Sequence, residues 1–240
     1  MSQTSGPRDE VFTTAVVNSK GQIADGPAHL MRMKDHAKRL RISLPETFPS
    51  MDVEVSEMGL VRLSYSAEQG WKVQHRPFTV RNESLDAISV PAPRWNPKTN
   101  GCKHGDWAPY NEARVRAEKA GCDVALFVHE HALVDADRGT PMLLDEDGTV
   151  WIPTDEDGGV DGITSSLLEA KLPEFGLPVV RGRLNERLVA RCHELVVVGS
   201  GLGACRVDSI DGERVGQSTV LSKQCQKIIN QHFTQEATWS

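Results

Sequence analysis

The strongest constraint on this chain is a run of three prolines within twelve residues, Val90 to Gly101, reading Val-Pro-Ala-Pro-Arg-Trp-Asn-Pro-Lys-Thr-Asn-Gly. Proline locks φ and has no N–H to donate, so such a run neither continues a helix nor sits in a central strand. It predicts an interdomain linker over 90–101, between a small N-terminal domain (1–89) and a larger C-terminal domain (102–240). At 240 residues the chain is long enough for each part to hold a core.

Both parts mix strand and helix patterns. Before the linker, Val11 to Val17 is β-rich and stops at the turn signal Asn18-Ser19-Lys20-Gly21. His29 to Leu40 places Leu30, Met33, Ala37 and Leu40 at helical spacing, with Arg32, Lys34, Lys38 and Arg39 between them. Leu60 to Tyr65 and Trp71 to Val73 form a hairpin pattern around Glu68-Gln69-Gly70. Beyond the linker come a helix over 110–120 ended by Gly121, a buried strand over 124–128, and a hairpin joining 142–144 to 149–152. A helix over 164–172, a short strand at Val179-Val180, a helix near 185–192 and a strand over 195–198 complete the pattern. With no internal repeat, this mixture argues an α+β fold: a small α/β domain followed by a larger mixed one.

Charge and composition remove several function classes. With 27 Lys+Arg against 33 Asp+Glu, the net charge is −6 and no basic run exists, which argues against binding a nucleic-acid backbone. No stretch approaches the roughly 20 apolar residues of a membrane span, and Met1 to Glu10 lacks the apolar core of a signal peptide. A cytoplasmic protein is expected. The five cysteines, Cys102, Cys122, Cys192, Cys205 and Cys225, contain no C-x-x-C and read as reduced thiols. His129-x-His131 would put two imidazoles on one strand face, but without a third ligand in register no metal site is predicted.

Three glycine-bearing segments could hold chemistry: Asn100 to Asp106, Gly158 to Thr164, and Gly199 to Gly203. The second opens a helix at Ile163 and Thr164, whose free N–H groups make an anion site. The third follows a buried strand and offers the Ser200 hydroxyl in a loop where a ligand can approach the backbone.

Taken in order, Glu10 to Thr14, His29 to Met33, Lys103-His104, Asp161 to Thr164, Glu194 to Ser200 and Ile210 to Gly216 resemble the class IV aminotransferases of pyridoxal-phosphate fold type IV. That group includes branched-chain and D-amino-acid aminotransferases and 4-amino-4-deoxychorismate lyase. The resemblance covers nearly the whole chain, although the family's usual first strand pair is missing. It implies pyridoxal 5'-phosphate between two domains, with Lys103 as the catalytic lysine that forms the Schiff base. It further implies that Arg32, the backbone at Ile163 and Thr164, and the Gly199-Ser200 loop hold the phosphate. These groups suit a dianion and a nucleophile. His104 and Asp106 stand close enough in sequence to influence the lysine.

The chain departs from the family where a glutamate, in an E-x-x-x-x-N-hydrophobic-F pattern, pairs with the cofactor's ring nitrogen. Counting back without gaps from Gly148 and Pro153, that position falls on Ala136. Neighbours in a strand face opposite ways, so a bulge or a one-residue slip is needed to bring Asp135 or Asp137 to the ring. The expectation is a bulge near 135–138 with an aspartate as substitute, Asp135 first; otherwise these aspartates and Arg138 form a structural ion pair. Ser165 also replaces an arginine that many relatives carry. The resemblance implies an aminotransferase acting on an amine and a keto acid, with the lyase as alternative and Lys103-His104 leaning towards it. A cofactor-free relative binding a small anion is the alternative from another class. A homodimer is expected, because relatives complete their sites with partner loops and twofold pairs are the commonest oligomers.

Overall fold

The computed structural model describes residues 8–50, 58–78, 83–105 and 107–240; Asp106 lies outside them. The mixed α and β architecture is as expected. Strand β1 (Glu10–Val17) is followed by helix α1 (Gly26–Leu40), then by β2 (Gly59–Ser66) and β3 (Gly70–Pro77). These three strands form an antiparallel sheet in the order β1-β2-β3. Its two faces differ because side chains alternate along a strand. Ala15, Val17, Val61, Leu63, Trp71 and Val73 pack on one face with Ile23 and Phe48, and Val11 meets Met33 and Ala37 of α1. The even-numbered residues Phe12, Thr14, Arg62, Ser64, Lys72 and Gln74 line a cavity on the other face.

Helix α1 buries Met33 and Ala37 as its spacing predicts, with two histidines added to the buried face. His29, Met33, His36 and Ala37 are buried, while Leu30 and Leu40 are only partly so. Two histidines are tolerated inside because each has a partner: His29 Nδ1 bonds the Thr13 hydroxyl (2.7 Å), and His36 Nδ1 accepts the Lys103 N–H (3.2 Å).

The remaining strands are β4 (Leu85–Pro91), β5 (Val124–His129), β6 (Ala132–Ala136), β7 (Thr140–Leu144), β8 (Val150–Ile152), β9 (Val179–Arg181), β10 (Leu184–Asn185), β11 (Glu194–Gly199), β12 (Gly203–Ile210) and β13 (Glu213–Arg214). They make a ten-stranded sheet in the order β10-β6-β5-β4-β12-β11-β7-β8-β9, with β13 on β12. The helices are α2 (Ala108–Lys119), α3 (Ile163–Lys171), α4 (Glu186–Ala190) and α5 (Val220–Phe233). Strand β4 corrects the sequence reading: Leu85 to Pro91 lies parallel to both β5 and β12, so Val90 and Pro91 end a central strand. Proline is accommodated because it is the last residue of that strand.

One sheet face packs on itself through Leu85, Leu126, Leu133, Leu143, Leu195 and Val207, which curls the sheet. On its other face, Met142, Ile152, Val196 and Val198 meet Leu168 of α3 and Leu221, Cys225 and Ile229 of α5. Helix α2 covers Val90, Ala125 and Phe127 with Tyr110, Ala113 and Ala117. Glu194, fully buried at the start of β11, accepts the N–H groups of Leu221 (2.7 Å) and Ser222 (3.0 Å), fastening the N-terminus of α5 to the sheet. No helix among the described residues is long and apolar enough to cross a membrane.

Candidate active site

The cavity between the two sheets has a volume of about 700 Å³. Arg32, Lys103, Asp135, Ile163, Thr164, Gly199 and Ser200, singled out in the sequence, all line it.

Lys103 reaches the cavity because its segment runs alongside β1. The Phe12 N–H donates to the Lys103 carbonyl (3.2 Å), and Val11 and His104 form an isolated bridge. Gly101 and Gly105, with φ of +76° and +60°, bracket the segment in a region that L side chains resist. Alternation then buries Cys102 and His104 and turns Lys103 to the cavity, with Nζ 5.2 Å from the Phe12 ring centre and 5.0 Å from that of Trp107. Burial, then the nearby Arg32 charge, lower the lysine's pKa to about 7. His104 instead lies edge-on to Trp95 and does not line the cavity.

Arg32 spans two elements. Its Nη1 donates to the Asp161 carbonyl (2.9 Å), just before α3, and its Nη2 donates to Thr13 Oγ1 (2.8 Å). Its Nε is buried without a hydrogen-bond partner among the described residues. Burial brings the guanidinium down to about 10, so it is still charged at neutral pH. Helix α3 begins behind Gly162 with no side-chain cap, leaving the first N–H groups at the cavity wall. Thr164 Oγ1 stands 3.4 Å from Ser200 Oγ, so α3 and the loop after β11 converge. Gly199 has a packing reason: a Cβ there would lie 2.6 Å from the Arg138 carbonyl oxygen. Ser165, the other departure from the family, is buried and donates to the Gly162 carbonyl (2.8 Å).

Asp135 owes its place to a bulge. In the β5–β6 pairing Phe127 opposes Asp135 but Val128 opposes Leu133, so Val134 is an extra residue. This lies one residue before the 135–138 stretch in which the bulge was expected. The Asp135 carboxylate accepts from the Tyr110 hydroxyl (2.7 Å) and the Val160 N–H (3.1 Å) at Oδ2, and from the Ala136 N–H (3.0 Å) at Oδ1. Burial raises its pKa, against the effect of these donors and of Lys103. Ala136 and Asp137 line the cavity too. Asp137, however, is occupied by Arg114 (3.3 Å), Arg138 (3.5 Å) and the Ala125 N–H (3.2 Å), so the ion pair given as the alternative for this cluster forms at Asp137 and leaves Asp135 out.

Sequence reasoning missed Trp107 and Tyr110. Trp107 holds a left-handed φ of +66° before α2 and stacks on Tyr110 with ring centres 3.8 Å apart, and no turn signal announced it. The two histidines at 129 and 131 do not share a strand face: His129 ends β5, and Glu130 and His131 turn the chain with φ of 45° and 62°. Among the described residues, no group of three or more His, Cys, Asp or Glu side chains is arranged to hold a metal.

The amino-transferase class IV family model matches residues 10–210. No curated protein matches the chain. Among solved structures, a branched-chain aminotransferase from Thermoproteus uzoniensis, solved with norvaline, is 18% identical, with 97% of this chain and 90% of that one covered and a TM-score of 0.82. A Legionella pneumophila protein provisionally named a 4-amino-4-deoxychorismate lyase is 20% identical, with 97% and 96% covered and a TM-score of 0.80. A hypothetical aminotransferase from Mycobacterium tuberculosis, solved with α-ketoglutarate and PMP, is 20% identical, with 95% and 90% covered and a TM-score of 0.80. At these identities the likeness is one of fold.

Proposed function

The chain belongs to the amino-transferase class IV family, a family of enzymes, and from that premise we propose that it is a pyridoxal-phosphate-dependent aminotransferase acting on an amino acid or related small amine. The observation that carries the reading is one cavity holding a lysine of lowered pKa, a buried carboxylate and, beside them, an arginine with an orphaned Nε at an uncapped helix start. These residues fit the cofactor. Arg32, the Ile163 and Thr164 N–H groups and the Ser200 hydroxyl would hold its phosphate, and Asp135 would face its ring nitrogen.

Pyridoxal phosphate, when bound, supplies a carbonyl carbon that takes up an amine and a ring that draws electrons from the substrate Cα. The protein supplies the rest. Lys103, with its pKa brought down to about 7 and so partly uncharged at neutral pH, is able to attack a carbonyl carbon and, once released by a substrate amine, to carry a proton from the substrate Cα. Burial, followed by the Arg32 charge, is what favours the uncharged amine at Nζ. Arg32, held at both Nη atoms, orients the phosphate without having to reorganise.

The lyase reading uses the same lysine to release pyruvate from an aminodeoxychorismate-like substrate, and the Legionella relative keeps it as the second reading. His104 is buried beside Trp95 and does not line the cavity, so it offers the lyase reading no group at the site. The cofactor-free reading rested on Ala136, and the Asp135 carboxylate in the cavity argues against it. We also propose a symmetric homodimer in the cytoplasm, to be checked by light scattering at micromolar concentration, where a monomeric mass would remove the pair.

The test begins with protein loaded with pyridoxal phosphate. A visible absorption band abolished by borohydride, with the pyridoxyl label mapped to Lys103, is expected. A label on another lysine, or no band, would overturn the proposal. Amino transfer to a keto acid, against pyruvate release from an aminodeoxychorismate, then separates the two activities.

A further inference from the structure

The function proposed above gives Tyr110 no role, yet its hydroxyl is 2.7 Å from Asp135 Oδ2. It lies in the first turn of α2, packed against Trp107 and Phe127. Burial and the adjacent carboxylate both push the phenol's pKa well up, so it remains a proton donor. An ionised carboxylate offers about four acceptor positions. On Asp135, Oδ2 takes the Tyr110 hydroxyl and the Val160 N–H, while Oδ1 takes the Ala136 N–H, which is shared with the Gly139 carbonyl. The least occupied position is therefore on Oδ1.

We propose that Tyr110 is a positioning residue for Asp135: its hydroxyl engages Oδ2, leaves Oδ1 for the ring nitrogen of a pyridinium cofactor, and holds the carboxylate ionised despite its burial. This deepens the function proposed above and rests on Asp135 being the carboxylate that faces the cofactor. The chemistry is a competition for one proton between a carboxylate and a heteroaromatic nitrogen. Burial raises the carboxylate's affinity for that proton, and a donated hydrogen bond lowers it. With Tyr110 in place the proton stays on the ring. Without it, Oδ2 keeps only the Val160 N–H, and the proton moves towards Asp135. The demand is sharper here because aspartate is one methylene shorter than the glutamate of the family pattern, so its two oxygens have less freedom to turn.

The experiment titrates Asp135 by ¹³C-carboxyl NMR in protein free of cofactor, for the natural chain, for Tyr110→Phe, and for protein carrying fluorotyrosine. The chain has only two tyrosines, so global fluorotyrosine labelling is interpretable, and Tyr65 packs against Trp71 away from Asp135. Tyr110→Phe is expected to raise the Asp135 midpoint by about one pH unit, the equivalent of a lost hydrogen bond to a charged group. Fluorotyrosine, a stronger donor, should lower it and serves if Tyr110→Phe fails to fold. A merely packed ring would not give shifts of opposite sign.

In protein loaded with ¹⁵N-labelled pyridoxal phosphate, the ring ¹⁵N resonance should move towards its unprotonated position in Tyr110→Phe. An unchanged midpoint in both altered proteins, or a ring resonance that does not move, would overturn the positioning role. If instead the midpoints shift as expected but the natural chain takes up no pyridoxal phosphate, the Tyr110–Asp135 contact stands and the proposed function falls.

Discussion

Replacing Arg32 by alanine tests the phosphate site at its most specific point. The side chain is held by two bonds, to the Asp161 carbonyl at 2.9 Å and to Thr13 Oγ1 at 2.8 Å, and its Nε has no partner among the described residues. A hydrogen bond to a charged group is worth about 1.5–3 kcal/mol. If Nε or the guanidinium edge meets a phosphate oxygen, Arg32→Ala should weaken pyridoxal phosphate binding about ten- to a hundredfold, since about 1.4 kcal/mol is a factor of ten. Arg32→Lys should recover only part of the loss, because an ammonium keeps the charge but cannot hold the Asp161 carbonyl, Thr13 and a phosphate in one plane. The assay is a fluorescence titration with pyridoxal phosphate and, in parallel, with pyridoxal, which lacks the phosphate. The loss should be confined to the phosphorylated ligand, with near-ultraviolet circular dichroism confirming that the variant is folded. Equal weakening of both ligands, or none, would refute an arginine that acts through the phosphate.

The lysine should titrate low: with the Lys103 pKa brought down to about 7, the rate at which unloaded protein captures pyridoxal phosphate should rise with pH through about 7 and level off, and a rate still climbing above about pH 9 would contradict this. Burial also lowers His29 and His36, the latter to about 3, so the unfolded chain binds more protons than the folded one below about pH 6.5. Stability should therefore fall as pH drops through that value, and urea midpoints should show a shallower fall when both histidines are replaced by asparagine. Glu194→Ala removes the acceptor for two N–H groups of α5 and should cost about 2–4 kcal/mol in urea unfolding, whereas a loss under about 1 kcal/mol would show that α5 is held by packing alone.

Much of the fold was legible because apolar periodicity reports local structure directly. The valine run of β11, the β-rich composition of β1 and the hairpin pattern that holds β2 needed no tertiary information. Helix α5 also carried its signal, Leu221, Cys225, Ile228 and Ile229 on one face, yet the expected elements stopped at residue 198. Strand β4 was hidden because Pro91 falls on its final residue, and proline reads as a stop whether a strand ends there or never begins. The buried histidines of α1 misled for another reason: their cost is removed by Thr13 and by the Lys103 N–H, partners remote in sequence.

The same distinction divides the candidate site. Ser200 and the Ile163-Thr164 helix start could be named because a glycine loop and a helix N-terminus mark where a backbone leaves room for a ligand, whereas Lys103 and Arg32 were reached only through the resemblance to the class IV family. The carboxylate could not be settled, since an ungapped count and an alternating strand together favour Ala136. What changes the outcome is Val134, one unpaired residue opposite Phe127 and Val128, and nothing in its own side chain announces a bulge. Val160 and Tyr110 then meet the displaced carboxylate from segments 25 residues away on either side. A bulge that leaves a buried aspartate with three donors stands where those donors already wait, because without them burial would favour the neutral acid. The place of Asp135 in the cavity is therefore set by the far ends of its hydrogen bonds, which a pattern read along one strand does not contain.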